Sequence, residues 1–187
     1  MASAGIGTAG AQLAKSMMAE LERMGSESPT PEAICGKVAR ILRVNRNEVA
    51  LLRVEKNCLR FIFPAGLRAA GLLPLSGSAV AARTASTRSP LLSNSFARVR
   101  HASLFESVKL GGGDVEEPGS RQLPIQKIMS VPIAGADGRV MGVVQVSRKG
   151  LDPTLAGADF TNDDLKILEK AAQIFAGLPF MQEGAEL

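Results

Sequence analysis

Residues 128–147 open with Ile128-Met129-Ser130-Val131-Pro132-Ile133, turn at Asp137-Gly138, and return as Arg139-Val140-Met141-Gly142-Val143-Val144-Gln145-Val146-Ser147. Both arms are rich in β-branched and aliphatic side chains, which pack well on a pleated surface. Asp-Gly tolerates the positive φ of a tight reversal, so the stretch predicts a β-hairpin with a loop, Ala134 to Gly138, longer than two residues. A second hairpin is predicted upstream. From Glu48 the chain reads as a strand through Val49-Ala50-Leu51-Leu52-Arg53-Val54 and turns at Glu55-Lys56-Asn57. Leu59, Phe61 and Phe63 then alternate with Arg60 and Ile62 until Pro64, which has no N–H for a ladder, ends the pairing.

Helical periodicity flanks these strands. Leu13, Met17, Leu21 and Met24 recur at the spacing of an amphipathic helix, with Gln12, Lys15, Glu20, Glu22 and Arg23 between them. Gly25 to Pro29 stops that helix. Thr30 then caps a second one with Pro31 at its first position, where a missing N–H costs nothing, and Ile34, Val38, Ile41 and Leu42 form its apolar face. Near the C-terminus Thr161-Asn162-Asp163-Asp164 reads as a cap with acids in the first turn. The helix that follows has two apolar faces, Leu165, Leu168, Ala172 and Phe175 on one and Ile167, Ala171 and Ile174 on the other, which implies more than one packing partner. Between the hairpins, residues 64–127 read as loops and short helices. Ser76-Gly77-Ser78 is the expected cap of a short helix over Ala79-Val80-Ala81-Ala82, Arg88-Ser89-Pro90 is a turn before Leu91-Leu92, and Gly111 to Gly119 is an expected mobile loop.

Composition narrows the function classes. A chain of 187 residues with 45% hydrophobic and 21% charged residues fits one ordinary globular core. The absence of Tyr and Trp, with only 7 Phe, leaves few platforms for stacking nucleobases, and the net charge of +4 comes without a dense Lys/Arg run, so no nucleic-acid partner is expected. No apolar run reaches the length of a membrane span, and Met1 to Gly10 lacks the basic and apolar regions of a secretory signal; no membrane association and a cytoplasmic location are the expectations. Cys35 and Cys58 have neither CxxC spacing nor a nearby His, so neither a metal site nor a disulfide framework is indicated, and reduced thiols fit best.

The order helix, helix, strand, strand, irregular middle, strand, strand, helix describes an α+β fold. It has a central antiparallel sheet with helices on one face and a loop and short-helix side on the other. The order resembles the GAF family. The hairpin at 130–146 followed by Phe160-Thr161-Asn162-Asp163-Asp164-Leu165-Lys166-Ile167-Leu168 carries the likeness. A second likeness lies at Leu75-Ser76-Gly77-Ser78-Ala79-Val80-Ala81-Ala82-Arg83-Thr84 with Pro90-Leu91-Leu92-Ser93-Asn94. The organisation expected is an N-terminal helix and linker at 1–29, a GAF-like domain at 30–178 and a tail at 179–187.

The resemblance implies a regulatory or sensory module that binds a small molecule between sheet and middle segment, or a partner protein, and signals as a homodimer to a separate chain. Known ligands of the family find no matching residues. Asn94 is followed by Ser95-Phe96 without the Lys and acidic pair of cyclic-nucleotide binders, and His101 lies between Arg100 and Ala102 rather than beside a bilin-linking Cys. A haem would need His101, the only histidine, as its axial ligand, and no cofactor is expected. Methionine sulfoxide reductases of the family need grouped cysteines, one to attack and others to resolve; Cys58 as the thiol of such an enzyme is the alternative, and absence of catalysis is the preferred reading.

Candidate ligand-binding residues follow. Phe61, Phe63, Phe96 and Phe105 are candidates for an apolar lining, with core the default role for the first two. Ser76 and Ser78 are candidates at a helix N-terminus, where backbone N–H groups meet anions, though an ordinary cap is the simpler role. Asn94 joins them by its place in the second likeness. Arg98 and Arg100, with Arg68, Arg83 and Arg88, stand in a stretch from Arg60 to Lys109 whose single acid is Glu106. That stretch is read either as a solvated basic surface balanced by Asp114, Glu116 and Glu117, which is preferred, or as the mouth of an anion-binding pocket. Leu13, Met17, Leu21 and Met24, with Leu168 and Phe175, are candidates for an intersubunit helical bundle; the simpler role for the first helix is packing on its own domain.

Overall fold

The computed structural model describes residues 6–98 and 123–183. Both hairpins form and join. Strands β1 (Val49–Glu55) and β2 (Cys58–Phe63) pair across Lys56-Asn57, and the long strands β5 (Ile125–Ala134) and β6 (Val140–Lys149) pair across a loop in which Gly138 takes φ 77°. Short strands β3 (Leu72–Pro74) and β4 (Leu91–Ser93) complete a six-stranded antiparallel sheet in the order β3-β2-β1-β6-β5-β4. The central contact is β1 against β6, with Leu51 opposite Val144.

Helices α1 (Ile6–Ser26), α2 (Pro31–Ile41) and α4 (Asn162–Ala176) cover one face of that sheet. Alternation along the strands sends Val49, Leu51, Met129, Val131, Ile133, Val144 and Val146 to that side, where they bury Ile34 and Val38 of α2 and Leu168 and Phe175 of α4. Both predicted caps form. The Thr30 hydroxyl accepts from Ala33 N at 3.2 Å, and the Thr161 hydroxyl accepts from Asp164 N at 3.1 Å while the Asp164 carboxylate accepts from Thr161 N at 2.8 Å. A short helix α5 (Pro179–Gln182) follows α4 and buries Met181 against Gly142 of β6, so residues 179–182 belong to the packed fold rather than to a free tail.

The opposite face carries α3 (Val80–Thr87). Leu52, Leu59, Phe61 and Val143 pack beneath its Ala81 and Ala85, and Val80 packs with Phe96 and Ile128. Sequence alternation places Phe61 and Phe63 on one face, and the structure separates them. The ladder slips between Leu51 and Leu52, so that Phe63 stands opposite Leu51 in the helix-covered core while Phe61 stands opposite Leu52 under α3. The cap of α3 is also corrected: its N-cap is Ala79, whose side chain makes no capping bond, because Gly77 N closes a turn onto Pro74 O at 2.9 Å and the helix starts after it. Gly111 to Gly119, the loop expected to be mobile, lies outside the described residues. Among those described, no helix is long and apolar enough to cross a membrane.

Candidate functional site

Polar side chains interrupt the α3 side of the sheet. On β5 and β6 the residues facing α3 include Ser130 and Gln145, both buried. A buried hydroxyl or amide is costly unless bonded, and these are bonded to one another. The Ser130 and Thr84 hydroxyls lie 2.7 Å apart, and Gln145 Nε2 donates to Ser130 Oγ at 3.2 Å. Thr84 Oγ1 also reaches the Val80 carbonyl of its own helix at 2.9 Å. The row therefore fixes α3 to β5 and β6 by hydrogen bonds rather than by packing alone.

Beyond Gln145 the row opens into a small cleft of about 30 Å³ at the start of β1 and the end of β6. Ala50, Leu67, Ile125 and Ile128 give it apolar walls, and Glu48, Gln145, Ser147 and Lys149 give it polar ones. The Glu48 carboxylate is held by backbone: Oε1 accepts from Lys149 N at 2.7 Å and Oε2 from Asn45 N at 2.8 Å. Ser147 Oγ donates to Glu48 O at 3.3 Å, and Lys149 Nζ donates to Asn47 O at 3.1 Å. Loss of solvent holds the Lys149 ammonium below the usual lysine range, with Glu48 opposing that shift from a distance.

The residues singled out from sequence do not converge. Phe61 and Phe63 lie in opposite cores, Phe96 packs with Val80 and Ile128, and Ser76 and Ser78 stand exposed on the turn before α3. Asn94 ties the chain to the segment before α4: its Nδ2 donates to Phe160 O at 2.9 Å and its Oδ1 accepts from Phe160 N at 2.8 Å. Arg98 ends the 3₁₀ turn Phe96–Arg98, whereas Arg100 and Phe105 lie outside the described residues. Of the other basic residues in that stretch, Arg68 is engaged by the Ile62 carbonyl at 3.0 Å and by Glu32 at 3.1 Å, while Arg83 and Arg88 are exposed. The side chains of the polar row and the cleft that sequence reasoning passed over are Thr84, Ser130, Gln145, Ser147 and Lys149. The available signal was the appearance of Ser130, Gln145 and Ser147 at core-facing positions of apolar strands.

The interface candidates divide. Leu21, Leu168 and Phe175 are buried within the chain's own core, so their apolar surface is not on offer to a second copy. The two faces of α4 are both taken inside the chain, one by the sheet and the other by α1. At the α1 crossing a Cβ on Gly25 would come within 2.5 Å of Ile174 Cγ2. Met17 and Met24 are half-buried, and Leu13, in the same helix, is 52% exposed. The thiols are also apart: Cys35 is buried in the helix-covered core, and Cys58 opens β2 opposite Pro74 of β3. Burial pushes the Cys35 thiol up, out of the range in which a thiolate forms near neutral pH. Among the described residues no three His, Cys, Asp or Glu side chains group as metal ligands.

A six-stranded antiparallel sheet with helices on one face and a short helix over a polar row on the other defines an α+β domain of the GAF type. The GAF domain family model matches residues 30–177, and the chain belongs to that family. Solved structures similar in fold include the GAF domain of an Acinetobacter phosphoenolpyruvate-protein phosphotransferase, with a TM-score of 0.66 at 14% identity, covering 92% of this chain and 95% of that one. A GAF domain from A. aeolicus Nlh2 matches with a TM-score of 0.59 at 14% identity, over 92% of this chain and 97% of that one. The free methionine-R-sulfoxide reductase of Neisseria meningitidis, solved in complex with its substrate, matches with a TM-score of 0.60 at 16% identity, over 99% of this chain and 96% of that one. No curated protein sequence matches the chain.

Proposed function

We propose that the chain is a regulatory GAF module that binds a small molecule on the α3 side of its sheet and reports occupancy to a partner protein as a homodimer. The observation that carries this reading is the buried row Thr84, Ser130 and Gln145 leading into a cleft with apolar walls. A few placed polar groups at the rim of an apolar concavity are the usual composition of a small-molecule site. Since α3 is tied to the floor of that site through Thr84, a ligand that takes one of the amide's hydrogen bonds alters the seating of α3. Native mass spectrometry of protein purified from its own host tests the reading: a retained small molecule, lost on unfolding and refolding, supports it. A protein that carries nothing and is stabilised by no member of a metabolite panel sinks it.

A second reading, reduction of methionine sulfoxide by Cys58, is favoured by the likeness to the Neisseria meningitidis enzyme. That chemistry needs a thiolate to attack and a second thiol to resolve the intermediate. Cys35, the other cysteine, is buried in the helix-covered core and its thiol is held protonated by that burial, which leaves Cys58 without a described resolving partner, and we propose a non-catalytic role on that ground. A reductase assay on the wild type and on Cys58→Ser separates the two, because turnover abolished by the substitution would establish the enzyme.

A further inference from the structure

The loop that continues β6 exposes leucines although its backbone is fixed. Leu151 and Leu155 are 69% and 66% exposed, and the bond from Gly150 N to Pro124 O at 3.1 Å brings Leu123, itself 40% exposed, beside Leu151. These are three of the five large apolar side chains exposed among the described residues. Asp152 holds the turn: its Oδ1 accepts from Thr154 N and Leu155 N, each at 2.8 Å, and its carbonyl accepts from Ala156 N at 3.1 Å. The leucines are left to solvent. A basic edge adjoins them. Arg148 Nη1 donates to Arg43 O at 3.1 Å and stands 3.6 Å from a Cβ placed on Gly157, so the end of α2 lies against the loop. Arg43 N donates to Arg40 O at 3.3 Å, both residues are exposed, and no carboxylate among the described residues lies within ion-pair distance of either guanidinium.

We infer that this surface docks an acidic amphipathic segment of a partner protein, whose apolar side chains cover Leu123, Leu151 and Leu155 and whose carboxylates meet Arg40 and Arg43. The inference rests on the reading above that the module reports to a partner protein, and it names the surface and the chemistry of that contact. A cluster of exposed apolar side chains marks a contact surface, and side chains carried on a fixed turn bind with little ordering cost. The two arginines set the charge of the occupant, since opposite charge across a contact steers and selects the partner. A bilayer fits less well. Asp152 lies between Leu151 and Leu155, and its carboxylate would have to enter the apolar boundary with them, whereas a protein segment leaves it at the rim. The surface is also joined to the cleft: β6 lines the cleft with Gln145, Ser147 and Lys149 and runs directly into Gly150.

Fluorescence anisotropy of the full chain with a labelled synthetic helix, leucines on one face and glutamates on the other, tests the inference. Saturable binding is expected, about tenfold weaker or more when lysines replace the glutamates or serines replace the leucines. The double variants Leu151→Ser with Leu155→Ser and Arg40→Glu with Arg43→Glu should each weaken the glutamate helix by about tenfold or more, whereas Leu72→Ser, at an exposed leucine of β3, should bind as the wild type does. Absence of binding, equal affinity for the glutamate and lysine helices, or full affinity in either double variant overturns the inference. So does binding to phosphatidylserine vesicles that the leucine variant abolishes, which would assign the surface to a membrane, or a halved mass of that variant in light scattering, which would assign it to a second copy. Should a double variant not fold, the comparison of helices on the wild type decides alone. If no helix binds while host-purified protein retains a small molecule, the docking inference fails and the sensing reading stands; if neither is found, both fail.

Discussion

Gly142 sits where β6, β1 and α5 meet, and the backbone there leaves no space for a side chain. A Cβ at this position would run into the Leu52 carbonyl and come within 2.5 Å of Met181 Cε. The methionine end can move; the strand carbonyl is fixed by the sheet. Gly142→Ala should therefore destabilise the fold by about 1–3 kcal/mol through overpacking, read as a lower urea midpoint with unchanged m-value. An unaltered midpoint would mean that β1 and β6 separate more readily than their ladder implies. The two cysteines give a second test at this scale. Burial keeps the Cys35 thiol protonated throughout the neutral range, and reaction with a disulfide reagent requires the thiolate and access to it. In the native protein Ellman's reagent is expected to modify Cys58 alone, and Cys35 is expected to react only in denaturant. Rapid modification of both in buffer would contradict the placement of Cys35 on the buried face of α2.

The stretch between β6 and α4 is irregular, yet it is tied down at several points by side chains from the sheet. Gln126 Nε2 donates to Gly150 O at 2.9 Å, and Lys127 Nζ donates to Gly157 O at 2.6 Å and pairs with Asp159 at 2.7 Å. Arg148 lies over the Phe160 ring, 4.7 Å from its centroid, while its guanidinium donates to Leu42 O and Arg43 O at the end of α2. Asn94 bonds both backbone groups of Phe160, the residue before the cap of α4. Asn94→Ala leaves a donor and an acceptor unpaired and should cost about 1–3 kcal/mol, with faster amide exchange at Phe160 and Thr161. Asn94→Asp keeps the acceptor for Phe160 N but sets a carboxylate against Phe160 O, so it should not restore the wild-type value. None of these clamps has a periodicity by which a sequence shows it, whereas the elements they join do. Val140 to Val146 declares a strand by composition, and Thr161 to Asp164 declares a cap by spacing. By contrast β3 is three residues long between Gly71 and a turn, too short to alternate, and the slip between Leu51 and Leu52 that parts Phe61 from Phe63 has no residue signature. The cleft stayed hidden for a related reason, since Glu48, Gln145 and Lys149 approach one another only once β1 and β6 are paired.

At the scale of the whole molecule, the sheet divides the domain into a helix-covered side that holds the larger core and an α3 side that carries a cleft. A change at the cleft reaches the other side through β1 and β6, which contribute side chains to both, and α1 lies against α2 and α4 on that far side. The C-terminal half of α1 is committed to this packing through Leu21, Met17 and Met18, so only its N-terminal half can serve a second copy. Among the described side chains of that half, Leu13 is the large apolar one left exposed, and it lies two turns before Leu21. Pairing through that half would place two copies of α1 side by side and bury Leu13 without disturbing either core. Multi-angle light scattering at micromolar concentration is accordingly expected to give twice the chain mass of 19.6 kDa. Leu13→Glu should reduce that mass to a single chain while leaving the far-ultraviolet dichroism unchanged, because the side chain makes no part of the core cluster. The thermal midpoint of the variant should lose the dependence on protein concentration that a dimer confers. A wild-type protein that elutes as a monomer, or a Leu13→Glu variant that remains dimeric, would remove α1 from the interface and return the exposed leucine to the ordinary apolar share of a protein surface.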